Sequence, residues 1–117
     1  MEKNILIFLE HILNSIRDSE KSIKNKSRRE FDKNKDMQDA SIRRIEIIGE
    51  AAKNIPDSIR KKYSNIPWKE IIGTRDKMIH HYFGVDLDIV WEIIKNDFPQ
   101  LKKQVLKIKK EIKNQNA

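Results

Sequence analysis

Apolar residues recur at helical spacing along most of this chain, and that periodicity limits the folds open to it. The face of the first predicted helix carries Ile5, Phe8, Leu9, Ile12 and Ile16. We predict that this amphipathic helix runs to about Ser22. The chain has only three glycines and shows no sustained alternation of apolar and polar residues, so β-strands are not indicated. We therefore predict an all-α fold.

A polar stretch from Lys24 to Lys35 has few apolar residues beyond Phe31. We predict a loop or a frayed connection there, serving either as a solvated linker or, through basic residues such as Arg28 and Arg29, as a contact for a nucleic acid such as RNA. Helical periodicity resumes at about Met37, where Asp36 or Asp39 is available as the helix cap. We expect a long second helix, in which Gly49, Ala51 and Ala52 allow a neighbouring helix to approach closely.

In the second half of the chain, residues typical of helix starts are followed by aromatic residues that are expected to pack in the core. Pro56 begins a short predicted helix that runs toward Tyr63, which we interpret as a packing residue with an exposed hydroxyl. Trp68 opens the next helix and is expected to anchor core or dimer contacts. Asp86 and Asp88 are candidate caps of a further helix.

The last predicted helix follows a junction at Pro99 and combines a regular apolar face with many lysines. Between Leu101 and Lys113 the lysines are Lys102, Lys103, Lys107, Lys109, Lys110 and Lys113. The apolar face consists of Leu101, Val105, Ile108 and Ile112. The whole chain has a net charge of +7, and this lysine-rich segment is a candidate surface for the RNA backbone. It is equally interpretable as a docked helix with a solvated lysine face, because no aromatic residue is interleaved for base stacking.

Composition sets further limits. The 117 residues fit one domain spanning 1–117, and 38% hydrophobic residues make a lean core that favours burial in a dimer. There is no apolar run long enough to cross a membrane and no resemblance to a signal peptide, so a cytoplasmic location is expected. The absence of cysteine excludes disulfides, thiol nucleophiles and zinc fingers.

The strongest chemical signal is the motif R-x4-H-x-Y, formed by Arg75, His80 and Tyr82. An arginine guanidinium carries a permanent charge and a fork of donors that fits phosphate oxygens. A histidine titrates near neutrality, so one imidazole can accept a proton from an attacking hydroxyl and a second can donate one to a leaving oxygen. RNA supplies its own nucleophile in the 2′-hydroxyl, so such a set can cleave RNA without a metal. The ordinary alternative is a solvated helix end with Tyr82 in the core.

Helical geometry constrains this motif. At about 100° per residue, Tyr82 shares a face with Arg75, whereas His80 lies about 140° around the helix. Either the helix loosens near His80, ahead of Gly84, or two copies of the helix assemble the site in a symmetric dimer. We interpret His81 as a flanking residue and expect neither a metal nor a cofactor. No glycine-rich phosphate loop is present, so nucleotide chemistry belongs to a partner.

The motif and its flanking segments resemble the HepT-like HEPN proteins. The likeness extends from Arg44-Ile45-Glu46-Ile47-Ile48-Gly49-Glu50-Ala51-Ala52 to Tyr82-Phe83-Gly84-Val85-Asp86-Leu87-Asp88-Ile89-Val90-Trp91 and covers nearly the whole chain. The resemblance implies an antiparallel helical bundle that forms a symmetric homodimer. It also implies a metal-independent endoribonuclease toxin, paired with a nucleotidyltransferase antitoxin of the MntA type in a type VII-like toxin–antitoxin system.

Carried over residue by residue, the resemblance implies that Arg75 and His80 are catalytic and that Asp76 supports them. Tyr82 falls where the antitoxin of this family attaches AMP to a tyrosine hydroxyl. A phosphate ester beside Arg75 satisfies the guanidinium and repels an incoming RNA phosphate.

Two other classes of function remain as alternatives. The first is a non-catalytic helical subunit that binds a nucleotidyltransferase partner through aromatic residues such as Trp68, Phe83 and Trp91. The second is a basic DNA-binding protein, for which no helix-turn-helix with a glycine turn is recognisable.

Overall fold

The fold is helical throughout the part of the chain that the computed structural model describes, residues 2–80 and 84–115. The helices are α1 (Glu2–Ile23), α2 (Arg28–Lys33), α3 (Lys35–Lys53), α4 (Asp57–Lys62), α5 (Trp68–His80), α6 (Leu87–Glu92) and α7 (Phe98–Gln115). No residue in the described ranges belongs to a β-strand. The prediction of an all-α fold is therefore confirmed.

The core lies where α3 packs between α1 and α5, with α7 covering the other side of α1. The predicted apolar face of α1 is buried, and Leu9 and Ile16 have no exposed surface. Helix α3 buries Ile42, Ile45 and Ile48 on its central turns. Because these residues recur at three- and four-residue spacing, forming the helix places them together on the face that meets its neighbours.

The polar stretch between α1 and α3 contains a short helix, α2, so the prediction of a loop was wrong for Arg28–Lys33, whereas residues 24–27 are not helical. Helix α1 ends at a turn in which Asn25 has a φ of 63°, a left-handed conformation that asparagine tolerates well. Ser27 then caps α2 in a reciprocal capping box with Glu30. Phe31 has no exposed surface, and its ring centroid lies 5.1 Å from that of Trp91.

The cap of α3 also differs from the sequence prediction. Neither Asp36 nor Asp39 caps the helix. The side chain of Asn34 accepts a hydrogen bond from the backbone N–H of Met37 at 3.0 Å, and α3 begins at Lys35. Because Asn34 also ends α2, a single residue serves as the joint between the two helices.

The junction at Pro99 is continuous rather than broken. A π-helical segment, Ile93–Asp97, joins α6 directly to α7, and the backbone N–H of Phe98 donates to the oxygen of Ile93. A π-helical turn shifts the hydrogen-bond register by one residue, so the missing N–H of Pro99 falls in a place where the regular ladder is already interrupted. Asp86 caps α6 as predicted, through a 2.8 Å hydrogen bond from the N–H of Asp88.

Helix α7 docks against α1 through the predicted apolar face and through ion pairs at its edge. Leu101, Val105, Ile108 and Ile112 are all buried. Lys102 pairs with Glu20 at 2.9 Å, and Lys109 pairs with Glu10. The two pairs run in opposite chain directions, so the helices are antiparallel. The hydrogen bond from Lys109 lowers the pKa of Glu10.

Two aromatic residues hold the start of α5 against the core. The indole N–H of Trp68 donates to the carbonyl oxygen of Tyr63 at 3.1 Å, and Trp68 is buried, which assigns it to the core of the chain. The hydroxyl of Tyr63 donates to Glu111 of α7, so the prediction of an exposed hydroxyl was wrong. Within the described residues, no helix combines the length and apolar character needed to cross a bilayer.

Candidate functional site

Arg75 lies in the middle of α5, and two carboxylates hold its guanidinium. Its Nη2 atom is 3.0 Å from Oε2 of Glu50 on α3, and its Nη1 atom is 2.8 Å from Oδ1 of Asp76. The side chain of Arg75 is 24% exposed, whereas Glu50 and Asp76 are about half exposed. The guanidinium is therefore fixed in direction while both of its partners remain accessible to solvent.

The position of Arg75 depends on a glycine in the facing helix. A Cβ atom built on Gly49 would lie 2.0 Å from Cβ of Arg75, 2.7 Å from its Cγ and 3.2 Å from the oxygen of Ile71. Only a residue without a side chain fits there, and Ala52 on the same helix has no exposed surface. The prediction that small residues in this part of α3 allow close helix approach is confirmed.

The charge of Arg75 is permanent and already compensated. The hydrogen bond to Asp76, followed by the nearby charge of Glu50, raises the pKa of Arg75 further above its ordinary high value. An incoming phosphate therefore meets a charged guanidinium but has to compete with carboxylates for its donors.

A groove runs beside Arg75 and includes residues that the sequence did not indicate. It measures about 290 Å³ and is lined by Phe8 and His11 of α1, by Arg43, Glu46, Ile47, Glu50, Ala51 and Asn54 of α3, and by Arg75. We call it the Arg75 groove. His11 and Glu50 were not predicted as site residues, because each belongs to a helix far from the motif in sequence. The only available signal was that His11 is one of three histidines and follows Phe8 by one helical turn.

The structure describes only the backbone of His80 among the other two motif residues, His80 and Tyr82. Helix α5 keeps α-helical geometry from Trp68 to His80, so its backbone places His80 about 140° around the helix from Arg75. Helix α5 stays regular up to His80, and residues 81–83 lie outside the described part of the chain, so loosening ahead of Gly84 and assembly from two copies both stay predictions. The side chain of His80 and the whole of Tyr82 lie outside the described residues. Their predicted roles, like those of Arg75 and Asp76, stay predictions.

The acidic and histidine side chains of the described residues do not form a metal site. In residues 2–80 and 84–115, no three His, Asp or Glu side chains come together in a group able to hold a metal ion. The acidic side chains beside Arg75 are instead engaged with cations, since Glu46 contacts Arg43 at 3.4 Å and Glu50 contacts Arg75.

Known proteins that are similar to this chain carry ribonuclease names. A profile of the family described as "Ribonuclease HepT-like" matches residues 12–108. A protein of Methanocaldococcus jannaschii, named as a γ-glutamylcyclotransferase and provisional RNase, is 52% identical over 99% of this chain, which spans only 53% of that longer protein. A Caldanaerobacter subterraneus protein with a provisional RNase name is 48% identical, over 86% of this chain and 90% of its own length.

A third relative, from Thermococcus cleftensis, bears the name "Probable ribonuclease HepT". It is 40% identical, over 94% of this chain and 100% of its own length. No solved structure matches the chain.

Proposed function

The chain belongs to the HepT-like ribonuclease family, and we propose that it is a metal-independent endoribonuclease, the toxin of a HEPN toxin–antitoxin pair. The observation that carries this proposal is the placement of Arg75. Its guanidinium is fixed by Glu50 and Asp76 at the wall of an open groove, with His80 on the same helix. A fixed cation beside an open groove is suited to a phosphodiester, and His80 is the candidate acid–base group.

The proposed reaction is transesterification within RNA. One His80 imidazole accepts the proton of the 2′-hydroxyl as its oxygen forms a bond to phosphorus. The bond from phosphorus to the 5′-oxygen breaks, and a second His80, protonated, donates its proton to that oxygen. Arg75 stabilises the charge on the phosphorane oxygens. The products are a 2′,3′-cyclic phosphate and a 5′-hydroxyl, and the two histidines have exchanged protonation states.

A symmetric homodimer is part of the proposal. One chain contributes a single His80, which cannot be base and acid at once. The α-helical geometry of α5 also separates Arg75 from His80 by about 140°. Two copies of α5 that meet across a twofold axis supply two imidazoles and two guanidinium groups to one cleft.

Control by a partner completes the proposal. We propose that a nucleotidyltransferase antitoxin of the MntA type transfers AMP from ATP to the hydroxyl oxygen of Tyr82, releasing pyrophosphate and the hydroxyl proton. In the motif, Tyr82 follows Arg75 by seven residues, which is close to two turns of a regular helix. The added phosphate then competes for Arg75 in place of RNA.

The catalytic part is tested by RNA cleavage with purified protein in EDTA. We expect wild-type protein to cleave RNA and His80→Ala to lose at least about 100-fold in rate, as expected for loss of an acid–base group. The matched control is His81→Ala, which changes the flanking histidine and is expected to keep the activity. Equal activity of wild-type and His80→Ala protein contradicts the mechanism.

The regulatory part is tested by intact mass after co-expression with the nucleotidyltransferase. We expect mass increments of AMP on wild-type protein and on Tyr63→Phe, the matched control, but not on Tyr82→Phe. Tyr63 is the only other tyrosine, and its hydroxyl is occupied by Glu111. Stable complex formation without modification, together with no RNA cleavage, would favour the alternative of a non-catalytic binding subunit.

A further inference from the structure

Helix α1 contributes two aromatic residues to the lining of the Arg75 groove, Phe8 and His11. The rings of Phe8 and His11 lie one turn apart on α1, with centroids 6.3 Å apart and planes at 76°. Phe8 is half-buried against the core, whereas His11 is exposed. Both residues line the groove, and a nucleobase can stack on the face of an exposed aromatic ring.

Helix α3 lines the groove with two carboxylates, Glu46 and Glu50, and with Arg43 and Asn54. The side chain of Glu46 is only 17% exposed, and the Arg43 that it contacts is 70% exposed. The amide nitrogen of Asn54 is already engaged with the carbonyl oxygen of Glu50 at 2.8 Å. An ionised carboxylate accepts hydrogen bonds but donates none.

These acceptors favour some bases over others. Adenine, cytosine and guanine carry an exocyclic amino group that can donate to a carboxylate, and uracil carries none. A groove of about 290 Å³ that ends at a phosphate-binding arginine has room for a single base and its ribose. Its aromatic and acidic walls therefore point to a nucleotide rather than to an isolated anion.

We propose that the Arg75 groove is a base-binding subsite for the nucleotide next to the phosphate that Arg75 holds, and that it prefers a base with an amino group. The base stacks on the exposed ring of His11 while its amino group donates to Glu46. The proposal rests on the proposed ribonuclease function, since it takes Arg75 as the phosphate ligand.

The test uses binding of RNA that cannot be cleaved, so that it does not depend on catalysis. Short 2′-O-methyl oligonucleotides of adenine, cytosine or uracil, each with a fluorophore, are titrated with the full chain and followed by anisotropy. We expect the adenine and cytosine oligomers to bind about fivefold or more tightly than the uracil oligomer. Equal affinities for all three overturn the proposal.

Variants assign the effect to the groove. His11→Ala changes an exposed residue and should weaken binding of the adenine oligomer about fivefold, whereas Glu46→Gln should remove the preference over uracil. The matched control is Ile7→Ala on the same helix, because Ile7 is 50% exposed and is not among the described residues that line the groove. Unchanged binding by His11→Ala overturns the proposal. A lower mass of His11→Ala than of wild-type protein in sedimentation also overturns the proposal, because it would mean that the groove is an interface between two copies of the chain.

The two proposals fail in different ways. Base-selective binding without His80-dependent cleavage would contradict the ribonuclease and leave the subsite standing. Cleavage that depends on His80 but shows no base preference and no effect of His11→Ala would contradict the subsite alone.

Discussion

Replacing Gly49 with alanine tests whether the crossing of α3 and α5 sets the position of Arg75. The new Cβ would lie 2.0 Å from Cβ of Arg75 and 3.2 Å from the backbone oxygen of Ile71. Carbon atoms in contact are normally about 3.5–4.0 Å apart. Neither neighbouring atom is the end of a flexible side chain, so the helices have to separate by roughly 1.5 Å at this point.

The energetic consequence combines two opposing effects. Overpacking of a tight core contact costs about 1–3 kcal/mol, and a clash with a Cβ atom belongs at the upper end of that range. Alanine in place of glycine inside a helix returns about 1 kcal/mol. The net loss is therefore about 2 kcal/mol, which for a domain of this size lowers the melting temperature by about 8 °C.

The assay is thermal and urea unfolding of wild-type protein, Gly49→Ala and a matched control, Gly73→Ala. Gly73 also lies in a helix, but a Cβ built on it meets no atom within 4 Å among the described residues. The control should gain about 0.5–1 kcal/mol from helix propensity alone. If Gly49→Ala were as stable as Gly73→Ala, the close crossing would not exist in solution and the reasoning would be refuted.

Three further predictions follow from single contacts. Phe31→Ala should cost about 3–5 kcal/mol in urea unfolding, because Phe31 is fully buried, whereas a cost below about 1 kcal/mol would mean that α2 does not dock. Burial, and then the hydrogen bond to Glu111, raises the pKa of Tyr63 to about 12 from its unfolded value of about 10. In the folded state Tyr63 therefore loses its proton at a higher pH than in the unfolded state. The stability that this difference contributes is complete below about pH 10 and is lost toward pH 12. Tyr63→Phe should flatten this part of a profile of stability against pH, and identical profiles would contradict the assignment. Glu50→Gln should tighten binding of non-cleavable RNA by about two- to fivefold, because phosphate then competes only with Asp76 for Arg75; weaker binding would show that Glu50 serves mainly to position the guanidinium.

The helices that the sequence predicted well are those whose apolar residues form a continuous face. Helix α1 was expected to end at about Ser22 and ends at Ile23, and α5 begins at Trp68 as predicted. In such helices, the spacing of apolar residues in the sequence is enough to predict which face is buried. Helix α2 was missed because its burial depends on Phe31 alone, and the ring that covers Phe31 belongs to Trp91, far along the chain.

A local signal for α2 was nevertheless present. Ser27 followed three residues later by Glu30 is the pattern of a capping box, and the structure contains both of its hydrogen bonds. The polar composition of the segment outweighed that signal in the prediction. The cap of α3 was misplaced by a few residues for a similar reason, since Asn34, Asp36 and Asp39 are all acceptable caps by residue type.

Some residues of the candidate site can be found from the spacing of residues in the sequence, and others only from the packing of the helices. The motif identified Arg75 because its spacing to His80 and Tyr82 lies within one short segment. The contact with Glu50 and the groove that reaches His11 arise from the crossing of α3 over α1 and α5. No periodicity encodes which turn of one helix meets which turn of another, so these partners required the fold.

The paired state of Arg75 determines how the protein should recognise RNA. A guanidinium that already contacts Glu50 and Asp76 gains little from charge alone, because binding exchanges one anion for another. Attraction over longer distances has to come from the net charge of +7, and that part weakens with added salt. Selection at the site instead depends on whether a phosphate can approach the fixed fork of donors while its base enters the groove. Salt should therefore reduce the affinity for all RNA alike, whereas the preference among bases should change much less.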